Sequence, residues 1–83
     1  MYKILFRGKA AKQVKKLPPD YFRLVAPQIE ALAQIPRPPG IKKLTNDPGY
    51  RLRVGVYRIL YDIDDEARTV TIYRVGHRRE VYR

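Results

Sequence analysis

Two groups of residues in the second half of the chain have types and spacing suited to phosphate chemistry. The first group is Arg51, Arg53 and Arg58, and the second is the C-terminal segment GHRREVYR, residues 76–83. Arginine presents a rigid fork of N–H donors that matches phosphate oxygens. The segment also holds the single histidine of the chain, the residue type that changes charge nearest to neutral pH. These residue types raise the hypothesis of a bipartite site for a phosphate-containing substrate.

The first group depends on a strand and a turn. YRLRV alternates strictly, so Arg51 and Arg53 share one side of a strand. A tight turn at Gly55 would allow Arg58 to lie beside them on the next strand. Adjacent guanidinium groups repel each other, so the cluster costs stability unless an anion shares the site. The alternative is an ordinary solvated sheet face, which is common in antiparallel sheets.

The second group offers several chemical roles. His77 is the acid–base candidate, and Arg78 and Arg79 could neutralise a phosphate. Tyr82 could stack on a nucleobase or exchange a proton through its phenol. The alternative is a final turn whose apolar residues pack on the sheet while the arginines extend into solvent.

The length, composition and net charge of the chain limit the class of protein. The 83 residues predict one domain, residues 1–83, and the absence of cysteine excludes disulfides and thiolate metal sites. The 18 basic and 8 acidic residues give a net charge of +10, which favours a polyanionic partner, nucleic acid first, or an acidic protein. No apolar run is long enough for a membrane span, and the N-terminus lacks the pattern of a secretory signal. We expect a cytoplasmic protein without a membrane partner.

The elements that must position these residues follow the order β-α-α-β-β-β. YKILFR is the first strand, and the last three runs, at 50–54, 56–63 and 69–75, predict consecutive hairpins. We therefore expect an α+β fold: an antiparallel sheet, two N-terminal helices packed on one face, and a short C-terminal turn or helix. The helical spacing of apolar residues appears twice, at Ala10, Val14 and Leu17 and then at Phe22, Val25, Ile29 and Leu32.

Three further segments have local interpretations. Pro27 lies inside the second helix, where it should kink the helix or split off its first turn. IPRPPGIKK, residues 35–43, reads as a loop because of its three prolines and glycine. DIDDE, residues 62–66, lacks the ligand spacing of a calcium loop and predicts a solvated turn that pairs with nearby arginines. No motif indicates a metal or a nucleotide cofactor, so none is expected.

The order of these motifs resembles the RelE/ParE toxin superfamily of bacterial and archaeal toxin–antitoxin systems. The resemblance rests on KLTNDPGYRLRVGVYRILYDID and, above all, on VGHRREVYR, and it spans nearly the whole chain. It implies a microbial RNase fold and cleavage of mRNA in the ribosomal A site by attack of the ribose 2′-OH on the adjacent phosphorus. It also implies contact with ribosomal RNA and a cognate acidic antitoxin, through which operator DNA would be bound indirectly.

The same resemblance implies roles for single residues. Arg51, Arg53 and Arg79 would bind RNA phosphates, and Arg58 and Arg78 would be catalytic arginines. RelE-type sequences often have lysines at the first two positions, and arginine is no plausible general base. This difference moves the acid–base role toward His77, the leading candidate, and Tyr82, and the sequence does not settle which of them is the base. The alternatives are a ParE-like DNA gyrase poison that cleaves no RNA, and a basic RNA-binding module without catalysis.

Overall fold

The computed structural model describes residues 1–79, and it places them in two helices and one five-stranded sheet. The strand order in the sheet is β1-β5-β4-β3-β2. The α+β class is therefore confirmed, with both helices on one face. The elements in chain order are β1 (Lys3–Phe6), α1 (Ala10–Lys15), α2 (Pro19–Ala31), β2 (Lys42–Lys43), β3 (Tyr50–Val54), β4 (Tyr57–Asp64) and β5 (Thr69–His77).

The sheet differs from the expected one at its two edges. β1 pairs with β5 in parallel, because the chain crosses over through both helices before it returns to the sheet. β2 is a two-residue strand inside the segment that was predicted to be only a loop, and it pairs antiparallel with β3. The two central ladders, β3 with β4 and β4 with β5, are antiparallel as expected.

The core lies between the helices and one face of the sheet. Val14 of α1 and Val25 and Ile29 of α2 are buried against strand residues such as Ile59 and Ile72. These side chains stand at helical spacing on the helices and at alternate positions on the strands, so both periodicities point toward one apolar layer. Burial of this layer is what holds the opposite face of the sheet in a fixed geometry.

Two details of α2 correct the sequence-based expectation. Phe22 was assigned to the buried stripe, but it is 42% exposed, and Tyr21 turns toward the sheet instead. Both residues fit helical spacing with Val25, so the pattern alone could not choose between them. The helix also runs through Pro27 without being split. Pro27 and Arg23, whose carbonyl loses its partner, are both exposed, so water can satisfy that carbonyl.

A polar network connects the loop that contains Arg37 to the turn between β4 and β5. Arg37 forms a two-point ion pair with Asp65, with N···O distances of 3.2 and 3.0 Å, and the Tyr2 hydroxyl donates to the same carboxylate at 2.6 Å. The Arg37 guanidinium and then the Tyr2 hydroxyl lower the pKa of Asp65. The expectation that the acidic turn pairs with an arginine is therefore confirmed for Asp65.

This network predicts a pH dependence of stability. Because the pKa of Asp65 is lower in the folded chain, the ion pair stabilises the fold above the unfolded pKa and is lost as the pH falls through the folded value. In Asp65→Asn the free energy of unfolding should fall less steeply with acid, between about pH 5 and pH 2. Urea unfolding at several pH values measures this. Glu66→Gln, an exposed change of equal charge in the same turn, should keep the wild-type slope.

Gly49 sets the entry into β3 and predicts a second stability effect. It has φ of +106°, and a Cβ there would lie 2.5 Å from the carbonyl oxygen of Tyr61 on the neighbouring strand. Gly40, with φ of +90°, has open space around the same position. Gly49→Ala should cost more stability than Gly40→Ala, by roughly 1 kcal/mol or more, because only the first adds a backbone clash to the strain. Equal urea midpoints for the two variants would contradict this.

Candidate functional site: an arginine face on the open side of the sheet

The strand register brings the predicted arginines together on the side of the sheet away from the helices. Arg53 lies directly opposite Arg58 across the β3–β4 hairpin, and Arg51 lies opposite Leu60. Residues directly opposite in an antiparallel pair point to the same side, with Cβ atoms about 4.5–5.5 Å apart. Arg51, Arg53 and Arg58 therefore share one surface, as the sequence predicted.

The hairpin turn is what makes this juxtaposition possible. Val54 pairs with Tyr57, so only Gly55 and Val56 connect the strands, and Gly55 has φ of +60°. Turns of this length require such left-handed conformations, which glycine adopts without a Cβ penalty. A longer turn would shift the register and separate Arg53 from Arg58.

A fourth arginine lies on this surface, and the sequence pattern did not predict it. Leu60 pairs with Arg74 of β5, but Tyr61 pairs with Ile72, so the ladder contains a register irregularity at this point. The extra residue lets both Tyr73 and Arg74 lie on the open side, between the buried Ile72 and Val75. The signal was present as a break in alternation, two polar residues between two apolar ones. We call Arg51, Arg53, Arg58 and Arg74 the arginine face.

Arg58 is the most unusual member of the arginine face. It is only 8% exposed, and its Nε and Nη1 atoms are buried with no hydrogen-bond partner among residues 1–79. A guanidinium buried without a partner costs several kcal/mol in desolvation, as an order of magnitude. Evolved proteins rarely retain such a group without a use for it, and a bound anion would satisfy both atoms.

The arginine face continues toward β2. Lys42 pairs with Arg51, so it adds a further cation on the same side of the sheet. A groove of about 330 Å³ lies here, and its lining includes Lys42, Lys43 and Arg51 together with the acidic Asp47. On the other side, Arg7 at the end of β1 lies 5.3 Å from the centre of the Tyr73 ring. The cationic surface thus crosses the width of the sheet, as an extended polyanion would need.

The structure separates His77 from the arginine face. His77 pairs with Tyr57, whereas Gly76 pairs with Arg58, so His77 and Arg58 point to opposite sides of the sheet. The His77 ring lies on the helix side, 5.9 Å from the Tyr57 ring, beside a groove of about 540 Å³ that Gln13 and Leu17 also line. The sequence alone does not show that His77 and Arg58 lie on opposite sides, because this depends on which residue of β5 pairs with Arg58.

The remaining predicted site residues lie at the end of β5 or beyond it. The Arg78 N–H donates to the Val56 carbonyl at 2.8 Å, which extends the β4–β5 ladder by one residue. Arg78 follows the last residue of β5, and continued alternation predicts that its side chain lies on the side of Gly76 and Arg58. Arg79 is exposed in the following turn, and Tyr82 lies outside the described residues. Within residues 1–79, no group of three potential metal-ligating side chains comes together.

The fold and the arginine face define a small, strongly basic α+β protein that carries a group of arginines on the open face of its sheet. The family model for the ParE toxin of the type II toxin–antitoxin system, parDE, matches residues 4–82. The curated Toxin RelG of Mycobacterium tuberculosis is 40% identical over 88 residues, covering 99% of this chain and 97% of RelG. The chain belongs to the RelE/ParE superfamily and is a type II toxin.

Solved structures of similar proteins have the same fold. A chain of the RelBE2 toxin–antitoxin complex of Mycobacterium tuberculosis is 35% identical, with a TM-score of 0.79 over 92% of this chain and 96% of that one. The isolated RelE toxin of E. coli is 28% identical, with a TM-score of 0.81 over 99% of this chain and 92% of that one.

No helix within residues 1–79 is long and apolar enough to cross a membrane.

The unpartnered Arg58 predicts a gain in stability on its removal. Arg58→Met keeps the apolar stem but removes the buried charge, so the free energy of unfolding should rise by roughly 1 kcal/mol or more. Arg53→Met removes an equal charge from an exposed position and should change stability much less. Urea unfolding of both variants measures the difference. A loss of stability in Arg58→Met would show that the guanidinium is satisfied in the folded chain.

Proposed function

We propose that this toxin inhibits translation by cleaving mRNA in the ribosomal A site, with the arginine face as its catalytic surface. The observation that carries the proposal is the burial of Arg58, whose Nε and Nη1 atoms have no hydrogen-bond partner among residues 1–79. Arg53, with the same charge, lies directly opposite on β3, so the site is suited to a ligand with concentrated negative charge. The phosphodiester of RNA supplies that charge.

The reaction places its greatest demand on charge stabilisation. The ribose 2′-oxygen forms a bond to phosphorus while the bond from phosphorus to the 5′-oxygen breaks. The proton of the 2′-OH passes to a base, and an acid gives a proton to the departing 5′-oxygen. The additional charge on the phosphoryl oxygens is stabilised by cations that are already oriented in the free enzyme. The need for a 2′-OH restricts the substrate to RNA.

The positions of the arginines support different roles for them, some at the reacting phosphate and others at neighbouring phosphates. Arg58 would hold the phosphoryl oxygens of the reacting phosphate, and Arg78 would join it from the end of β5. Arg51 and Arg53 would bind neighbouring phosphates, with Arg74 on the far side of β4, and Arg79 would extend the basic surface. These groups stay charged at any usable pH, so they orient and stabilise but do not exchange protons.

Of the two acid–base candidates, His77 and Tyr82, only Tyr82 is kept in this proposal. His77 is directed away from the arginine face, so direct proton transfer with the reacting phosphate does not fit its position. Tyr82 is retained in this role as predicted from the family resemblance. A Tyr82 base would need a lowered pKa, which surrounding guanidinium groups favour because they stabilise phenolate.

Primer extension on translated mRNA tests the proposal. Wild-type protein, induced in cells or added to programmed ribosomes, should produce cuts within codons of ribosome-bound mRNA. Arg58→Ala should reduce the cleavage rate by about 100-fold or more, since it removes a preorganised donor at the transition state. Arg23→Ala removes an equal charge from the exposed side of α2 and should cleave at the wild-type rate.

The outcomes separate this proposal from its alternatives. Intact mRNA in the presence of folded wild-type protein, with RNA still bound, would identify a non-catalytic basic RNA-binding module. Full activity of Arg58→Ala would retain the endonuclease but remove the arginine face from its mechanism.

The second candidate function is a DNA gyrase poison. The observation that favours it is the family model itself, which describes the ParE toxin. RelE and ParE toxins share a fold, and function depends on the residues placed on it. Pulse labelling after induction distinguishes the two: protein synthesis falls first for an mRNA endonuclease, and DNA synthesis falls first for a gyrase poison.

We also propose a cognate acidic antitoxin as the partner in cells. Solved RelE-type relatives from E. coli and Pyrococcus horikoshii are complexes with their antitoxin RelB. The net charge of +10 on this chain suits an acidic, partly disordered partner that folds on binding. Such an antitoxin would also connect the toxin to operator DNA through its own DNA-binding domain.

A further inference from the structure

His77 makes two contacts that a residue directed into an active site would not need. Its Nδ1 atom lies 3.2 Å from the backbone nitrogen of Arg79, whose N–H donates to it. Its ring meets the Tyr57 ring edge to face, with centroids 5.9 Å apart and an interplanar angle of 73°. Both contacts are internal to the protein and leave the ring fixed on the helix side of the sheet.

The hydrogen bond restricts the protonation state of the ring. Nδ1 can accept the Arg79 N–H only when it carries no proton, so this hydrogen bond requires the tautomer with its proton on Nε2. In this state the side chain closes a short turn over residues 77–79. Arg78 lies inside that turn, and its own N–H is fixed by the Val56 carbonyl at 2.8 Å.

Contacts between tilted aromatic rings connect this turn to the helical layer. The centre of the Tyr21 ring in α2 lies 4.7 Å from the centre of the Tyr57 ring, and the Tyr57 ring in turn contacts the His77 ring. Gln13 of α1 accepts the Val75 N–H at 2.8 Å, so the outer edge of β5 is satisfied just before the turn. Helices, strand end and turn therefore form one connected unit that ends at Arg78.

From this arrangement we propose that His77 is a positioning residue that fixes Arg78 on the arginine face, and not the general base of the reaction. The neutral ring accepts the Arg79 N–H from the helix side of the sheet. The backbone between them then directs the Arg78 side chain to the opposite side, toward Arg58. This inference rests on the proposed endonuclease function for its kinetic consequences, but its structural content does not depend on cleavage.

Substitution at His77 can separate the two roles because two amides imitate different ring atoms. Asparagine places its side-chain oxygen near the position of Nδ1, so His77→Asn can still accept the Arg79 N–H. Glutamine extends toward the position of Nε2, so His77→Gln loses that bond. Neither amide can act as a general base, so a catalytic histidine would be lost equally in both variants.

Nuclear magnetic resonance on the full-length toxin tests the structural part without any substrate. Wild-type His77 should show the Nε2–H tautomer above neutral pH. The Arg79 amide should exchange its hydrogen at least about tenfold faster in His77→Gln, and at nearly the wild-type rate in His77→Asn. The Ala67 amide, bonded to the Asp64 carboxylate in a distant turn, is the internal control. An Nδ1–H tautomer, or unchanged Arg79 exchange in His77→Gln, would overturn the inference.

Single-turnover cleavage tests the catalytic part. We expect His77→Asn to remain within about threefold of wild type, and His77→Gln to cleave about 10- to 100-fold more slowly, as for a misplaced catalytic group. If His77 acts only through Arg78, the double variant His77→Gln/Arg78→Ala should be no slower than Arg78→Ala. Multiplicative losses, or equal losses in His77→Asn and His77→Gln, would contradict positioning. Absence of cleavage by wild type would instead refute the proposed function and leave the tautomer and exchange results to decide.

Discussion

The burial of Arg58 among other arginines is the constraint on which the rest of this structure depends. A guanidinium with buried Nε and Nη1 atoms and no partner in residues 1–79 opposes folding, and the directly opposite Arg53 adds repulsion. β4 can tolerate this because its other face contributes Ile59 and Tyr61, both fully buried, to the core. Desolvation and repulsion on one side of the strand are thus offset by apolar burial on the other. A small domain has little stability in excess, so a group that opposes folding in this way depends on the apolar layer beneath it.

The sheet divides the molecule into a supporting side and a charged side, and its irregularities decide which residues occupy each. The bulge opposite Leu60 places Tyr73 and Arg74 together on the charged side. The end of β5 then assigns successive residues to different sides, with His77 against Tyr57 on the supporting side and Arg78 continuing the ladder to Val56. Residues adjacent in sequence can therefore cooperate without sharing a surface, one as support and the other in contact with the ligand.

Neither the fold nor the family settles the reaction by itself. The family model describes ParE, whereas RelG and the RelE structures are the similar proteins that carry RelE-type names. What distinguishes possible functions is the set of side chains on the open face of a common scaffold. In this chain both strand positions that are often lysine in RelE-type sequences are arginine, so the residues at Arg51 and Arg53 can hold phosphate without taking part in proton transfer.

The sequence by itself determined the element order, the helical stripes of Val25 and Ile29, and the shared side of Arg51 and Arg53, because these follow from local periodicity. The same spacing wrongly predicted that Phe22 is buried, because Tyr21 fits it equally well and is the residue that contacts the sheet. Only the tertiary structure decided the pairing of Arg53 with Arg58, the place of Arg74 and the separation of His77 from them. Those features depend on strand register and on one extra residue in β5, which arise from contacts between segments distant in the chain. A shift of one residue changes the side of the sheet on which a side chain lies, and local sequence carries too little information to fix it.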